Sequence, residues 1–212
     1  MEDVLKKLFD AVLEGDFEGV KVNVQIALDA QIEPAVILND GMIAAMREVG
    51  CRFEAGDYYV PEMLIAARAM QSGMSLLKPH LQKSNVKSSG KVVIGTVKGD
   101  LHDIGKNLVS LMLEGDGFEI KDLGVDVPVE EFVRALKDEK PDILALSALL
   151  TTTMQMMKTT IDAVTAEGLR DQVKIIVGGA PVTEAYANKI GADGFSPDAS
   201  RAVTVAKSLI NS

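Results

Sequence analysis

The chain has 212 residues, 47% hydrophobic and 25% charged, which are globular proportions that exclude a disordered or fibrous protein. Its 31 acidic residues outnumber 22 basic ones, giving a formal charge of −9, and the acid excess runs through both halves; nucleic acid and anionic membranes are therefore not expected as partners. One cysteine, Cys51, and two histidines, His80 and His102, exclude a disulfide framework or a zinc cluster and point to a reducing, cytoplasmic setting. The amino terminus has no secretory leader pattern, and no apolar run reaches the ~20 residues of a bilayer span.

Residues 1–82 read as helices only. Val4, Leu5, Leu8, Phe9, Val12 and Leu13 form a first apolar stripe at three- and four-residue steps. Gly15 and Asp16 end that helix and cap the next, which carries Val20, Val24, Ala27 and Leu28. Pro34 opens a third stripe that runs to Phe53, and Pro61 opens a fourth through Met63, Leu64, Ala67, Met70, Met74 and Leu77. Four stripes on short connections predict an antiparallel four-helix bundle. Residues 83–91 hold little to bury and read as a linker, which divides the chain into a helical domain with its linker, 1–88, and a second domain, 89–212.

Beyond the linker the rhythm changes. Short β-branched runs at 92–97, 142–147 and 173–177, and an alternating run at 118–123, are separated by helical segments near 104–115, 129–139, 153–168 and 182–190; Gly194 and Phe195 mark a fifth strand, and a last helix covers about 198–210. This alternation predicts an α/β fold: a flavodoxin-like, Rossmann-like parallel sheet of five strands with helices on both faces. Ligands of such sheets sit beyond the carboxyl ends of the strands, near the point where the strand order reverses. The loops at 98–105, 147–153 and 178–182 lie there.

The first of these loops carries the chemistry. Asp100 and His102 lie two residues apart, and Gly105 opens the following helix. The spacing is not that of a phosphate-binding glycine loop. A histidine at a strand end can present one ring nitrogen as a metal ligand or a base, while a carboxylate takes the proton on the other and fixes the tautomer.

Asp100-x-His102-x-x-Gly105, then Ser147-x-Leu149, then Gly178-Gly179 resemble, in order and spacing, the cobalamin-binding module of methionine synthase. With the preceding helical half, the chain resembles the corrinoid proteins of methylamine, methanol and methoxy-aromatic methyltransferase systems. The resemblance implies cobalamin bound base-off, with His102 as lower axial ligand of cobalt, and methylcobalamin in the loaded state. It implies that Asp100 hydrogen-bonds this histidine and that Thr153, where methionine synthase has serine, completes a relay. Ser147 and Thr151 would line the pocket of the nucleotide tail, Leu149 would pack on its benzimidazole, and Gly178 and Gly179 would let the tail pass close to backbone. The helical half would act as a cap, with Tyr59 and Met63 as candidates to cover the upper corrin face. The implied function is a methyl carrier between a substrate-specific methyltransferase and one acting on a thiol or folate-type acceptor, served by a reductive activase. A cobalamin-dependent sensor, or a cobalamin-free flavodoxin-like interaction module, is the alternative. Met154, Met156 and Met157 are expected to pack, Cys51 to be buried, His80 to sit near a helix end, and Lys98 and Lys106 to be solvated.

Overall fold

The computed structural model describes residues 2–83 and 88–211. The chain forms two compact units, one of residues 1–87 with 115–117, the other of residues 88–114 with 118–212.

In the first unit, α1 (Glu2–Glu14) buries Leu8 and Val12. Asp16 caps α2 (Phe17–Asp29) by accepting a hydrogen bond from the Gly19 amide at 2.9 Å, and α2 buries Val20, Val24 and Ala27. The third stripe begins at Pro34 as expected, but α3 (Pro34–Val36) passes into a π-helical segment (Ile37–Ile43) before α4 (Ala44–Ala55). Ile37, Leu38, Gly41, Met42 and Ile43 are all buried, a broader inward arc than regular 3.6-residue turns provide, and the wider turn accommodates it. Pro61 stands in the first turn of α5 (Val60–Lys83), where the Glu62 carboxylate accepts from the Tyr59 amide at 3.0 Å. Cys51, expected to be buried, is exposed on α4, outside the arc of Met46 and Val49. His80 lies near the end of α5, just after Pro79. Of the expected linker, residues 84–87 lie outside the described residues.

The second unit runs β1 (Lys91–Thr96), α6 (Ile104–Gly115), β2 (Glu119–Asp122), α7 (Val129–Glu139), β3 (Ile143–Ser147), α8 (Gln155–Ala166), β4 (Lys174–Gly178), α9 (Glu184–Ile190), β5 (Gly194–Ser196) and α10 (Ala199–Ile210). The five strands are parallel in the order β2-β1-β3-β4-β5, as a flavodoxin-like sheet requires. On one face, Val93, Leu144, Leu146, Ile175 and Val177 pack with Phe132 of α7 and Met157, Ile161 and Val164 of α8. On the other, Val92, Ile94, Ile143, Ala145 and Ile176 meet Leu113, Phe118 and Ala206. The alternating β2, with only Ile120 partly covered, is an edge strand. α9 starts later than its apolar pattern suggested. Val182 closes a turn on the Gly179 carbonyl (2.9 Å), and Thr183, a better cap than Pro181, accepts from the Tyr186 amide.

The chain leaves β1 toward β2 on one side and β3 toward β4 on the other. The loops following β1 and β3 therefore diverge and leave a crevice between them.

Candidate functional site

Four strand ends form a level rim at this crevice. Thr96, Ser147, Gly178 and Ser196 are neighbours in register across β1, β3, β4 and β5. After Thr96 the chain makes a tight turn over residues 97–100, closed by the Asp100 amide on the Val97 carbonyl (3.1 Å), with Gly99 at φ +83°. The Thr96 hydroxyl donates to the His102 carbonyl at 2.9 Å and pins the loop where it returns toward α6.

Asp100 is fully buried and joins both sides of the crevice. Its Oδ1 accepts from the His102 amide (3.1 Å) and lies 2.7 Å from His102 Nδ1. Its Oδ2 accepts from the amides of Leu149 (2.8 Å) and Leu150 (3.2 Å) and from the Thr153 hydroxyl (2.7 Å). That hydroxyl has one proton, and the charged oxygen is a stronger acceptor than the Leu150 carbonyl, 2.9 Å away. Burial alone would raise the Asp100 pKa, and is the largest single influence. The donors from Thr153, Leu149 and His102 together outweigh it and hold the carboxyl well below the usual range. An ionised carboxylate only accepts, so Nδ1 of neutral His102 carries the proton and Nε2 keeps its lone pair. The His102 side chain is half exposed.

The two loops beside this imidazole carry exposed aliphatic side chains. Leu101 and Ile104 are 72% and 77% exposed, and Leu149 and Leu150 also face out. A Cβ built on the exposed Gly105 would meet nothing within 4 Å. An imidazole with one nitrogen tied and one available, set among bare aliphatic side chains and free space, fits a large, partly apolar metal macrocycle.

The expected tail-pocket residues occupy the same edge. Ser147 is half-buried at the end of β3, and Thr151 is exposed in the loop beyond it. Gly179 has φ +130°, and a Cβ there would lie 1.9 Å from the Ala148 carbonyl oxygen. A Cβ on Gly178 would lie 3.0 Å from the Ser196 carbonyl. Gly179 is thus required by the close passage of the loop after β3, whereas a side chain at Gly178 would need the end of β5 to give by a few tenths of an ångström.

Met157 is buried in the core, with Met154 and Met156 packed against it. Lys98 is half exposed and paired with Asp126. Lys106 is a correction: expected in solvent, it is 3% exposed and forms an ion pair with Asp122 at the end of β2, because its position on α6 faces the edge strand. Tyr59 and Met63 belong to the helical unit, where Tyr59 is exposed and Met63 buried. Sequence reasoning missed Thr96, Leu150 and Asp126, all of which bond into the loop holding Asp100 and His102. Thr96 could have been found as the last residue of a strand. Leu150 acts through its own amide, which no side-chain pattern records, and the Asp126 carboxylate bonds the Gly99 amide from 27 residues away, a contact only the fold creates.

Fold and site together define a two-part protein with a helical unit and a Rossmann-like unit suited to a corrinoid. Residues 90–204 match the family model described as "B12 binding domain", and residues 4–78 match a second model with the same description. The dimethylamine corrinoid protein of Methanosarcina barkeri is 44% identical over 210 residues, covering 99% of this chain and 98% of its own. Trimethylamine corrinoid protein 1 of Methanosarcina acetivorans is 44% identical over 211 residues, with coverage of 99% and 98%. A cobalamin-binding protein from Desulfitobacterium hafniense superimposes with a TM-score of 0.80 at 36% identity, covering 97% of this chain and 98% of its own. A chain of the methanol:cobalamin methyltransferase complex of Methanosarcina barkeri gives 0.88 at 30% identity, with coverage of 99% and 80%. The chain belongs to the cobalamin-binding corrinoid proteins of the methylamine type. Among the described residues, no helix is long and apolar enough to cross a membrane.

Proposed function

We propose that the chain is a methyl carrier of a methylated-amine system: it holds cobalamin base-off, with His102 as lower axial ligand, and serves two methyltransferases in turn. When bound, cobalamin supplies a cobalt centre that takes a methyl group in its reduced state and yields it to a thiol or folate-type nucleophile. The chain's own residues hold and tune that centre. His102 offers Nε2, and Asp100 keeps the proton on Nδ1 and orients the ring. Thr153 and the Leu149 and Leu150 amides keep Asp100 ionised, so that it can only accept from the imidazole. Leu149, Gly105, Ser147, Thr151, Gly178 and Gly179 form the surroundings in which ring and tail would lie. A substrate-specific methyltransferase, an acceptor methyltransferase and a reductive activase are the proposed partners. The relatives named for dimethylamine and trimethylamine, equally similar at 44%, support methylated amines as the donor class.

The observation that carries this reading is the tied Nδ1 and available Nε2 of His102 among exposed aliphatic side chains. Electron paramagnetic resonance of the cobalt(II) form tests it. The wild-type chain should show nitrogen coupling from one axial ligand, and His102→Ala should lose it. Coupling unchanged by the substitution would remove His102 from the site.

A further inference from the structure

The loop after β2 reaches the histidine turn from the side opposite Thr153. Asp126 lies in this loop with φ +54°, a left-handed conformation that aspartate tolerates better than most side chains. It makes two reciprocal bonds to the turn. Its Oδ1 accepts from the Gly99 amide at 2.8 Å, and its own amide donates to the Asp100 carbonyl at 2.9 Å. Its carboxylate also meets Lys98 Nζ at 3.0 Å. The bridge between Val97 and Val127, with the Val127 amide on the Thr96 carbonyl (3.0 Å), aligns the two segments just before this point.

These contacts act on the part of the turn that can move. In a four-residue turn with glycine third, the peptide between the second and third residues can flip, since glycine accepts either sign of φ. Here that peptide joins Lys98 to Gly99, and its N–H points at the Asp126 carboxylate. A flip would break this bond and leave Asp100, the next residue, whose carboxylate orients His102, tied to this loop only through its carbonyl on the Asp126 amide.

We propose that Asp126 is a positioning residue for His102: its carboxylate holds the Gly99 peptide and its amide holds the Asp100 carbonyl, which fixes the turn that aims the Asp100–His102 pair. Asp126 acts through backbone and touches neither the imidazole nor a bound ligand. The proposal rests on the reading of His102 as the site's ligand, and the test separates the two.

The chain has two histidines, so ¹⁵N-histidine labelling of the full-length protein gives two ring spectra, and His102→Ala assigns them. In the wild type, His102 should show the Nδ1–H tautomer with an exchange-protected proton. Asp126→Asn keeps an acceptor for the Gly99 amide and tolerates positive φ. Asp126→Gly tolerates the φ but has no acceptor, and Asp126→Ala has neither advantage. The Nδ1–H signal should persist in Asp126→Asn and be lost in Asp126→Gly and Asp126→Ala. In cobalamin-loaded protein, the nitrogen coupling of cobalt(II) should broaden or vanish in the same two variants. If Asp126→Ala does not fold, Asp126→Gly carries the test alone. Retention of the tautomer in Asp126→Gly would reduce the position to a conformational preference and overturn the proposal. Loss in Asp126→Asn as well would shift the effect to the Lys98 ion pair and also overturn it. A wild-type His102 without the Nδ1–H tautomer would instead remove the Asp100 pairing on which both readings stand.

Discussion

Asp100 divides its two oxygens between two structural tasks. Oδ1 serves His102, and Oδ2 gathers the Leu149 and Leu150 amides and the Thr153 hydroxyl from the opposite side of the crevice. An asparagine fits the space but must turn an NH₂ group toward one set of donors. That leaves buried donors facing each other, at a cost of about 1–3 kcal/mol, or roughly 2–12 °C in Tm for a chain of this size. The cost should depend on pH. Because the folded carboxyl is held below its unfolded value of about 3.9, the stabilisation is complete at neutral pH and disappears as pH falls below about 4 toward the depressed folded pKa. We expect Asp100→Asn to melt below wild type at pH 7 in cofactor-free protein, and the gap to narrow steadily in acid. A gap constant from pH 7 to pH 3 would mean that Asp100 does not act as a buried carboxylate.

The strand-and-helix frame was legible at the level of elements because each segment states its period. The β-branched runs at 92–97, 142–147 and 173–177 appear as β1, β3 and β4, shifted by a residue at most ends, and the alternating run at 118–123 appears as the edge strand. The π-helical segment was not legible: Ile37, Leu38, Met42 and Ile43 also satisfy an α-helical stripe, and only packing reveals the widened turn. Lys106 was misjudged for a related reason. Its charge suggests solvent, and its partner Asp122 lies sixteen residues away on an edge strand, a contact that only the closed fold creates. At the site, Asp100 and His102 were legible as a spaced motif and Thr153 through the family resemblance, whereas the amides of Leu149 and Leu150 were not, since any residue supplies them. The glycine pair shows how strictly two elements constrain one another. Gly179→Ala combines φ +130° with a Cβ 1.9 Å from the Ala148 carbonyl oxygen, and should cost several kcal/mol, as strained backbone and overpacking do. Urea denaturation should show a lower midpoint with an unchanged m-value. A midpoint within error of wild type would show that the loops after β3 and β4 part easily.

At the scale of the molecule, residues 88–212 contain apolar layers on both faces of their own sheet together with the whole set Asp100, His102, Ser147, Thr153, Gly178 and Gly179. A length of about 100–150 residues is typical of an independent domain. We therefore expect a chain beginning at Ser88 to fold on its own, with the circular dichroism of a mixed α/β protein, and to bind one cobalamin with the absorbance of a histidine-ligated form. Failure to fold would show that the helical unit is part of the same cooperative structure. Folding without binding would place essential cofactor contacts in residues 1–87.

The rim of Thr96, Ser147, Gly178 and Ser196 has a consequence for design. Its members are locked side by side by strand register, so no rotamer change can raise or lower one of them relative to the others. Side chains of two or three heavy atoms, or none, make its depth a property of the backbone itself. Corrinoids differ in the base at the end of their tails, and if the tail lies along this edge, as proposed above, the ledge would not remould itself around each base. On the proposal that the tail runs along this edge, the half-buried Ser147 is the rim side chain to change, and Ser147→Ala or Ser147→Val would be expected to alter the choice among tail bases.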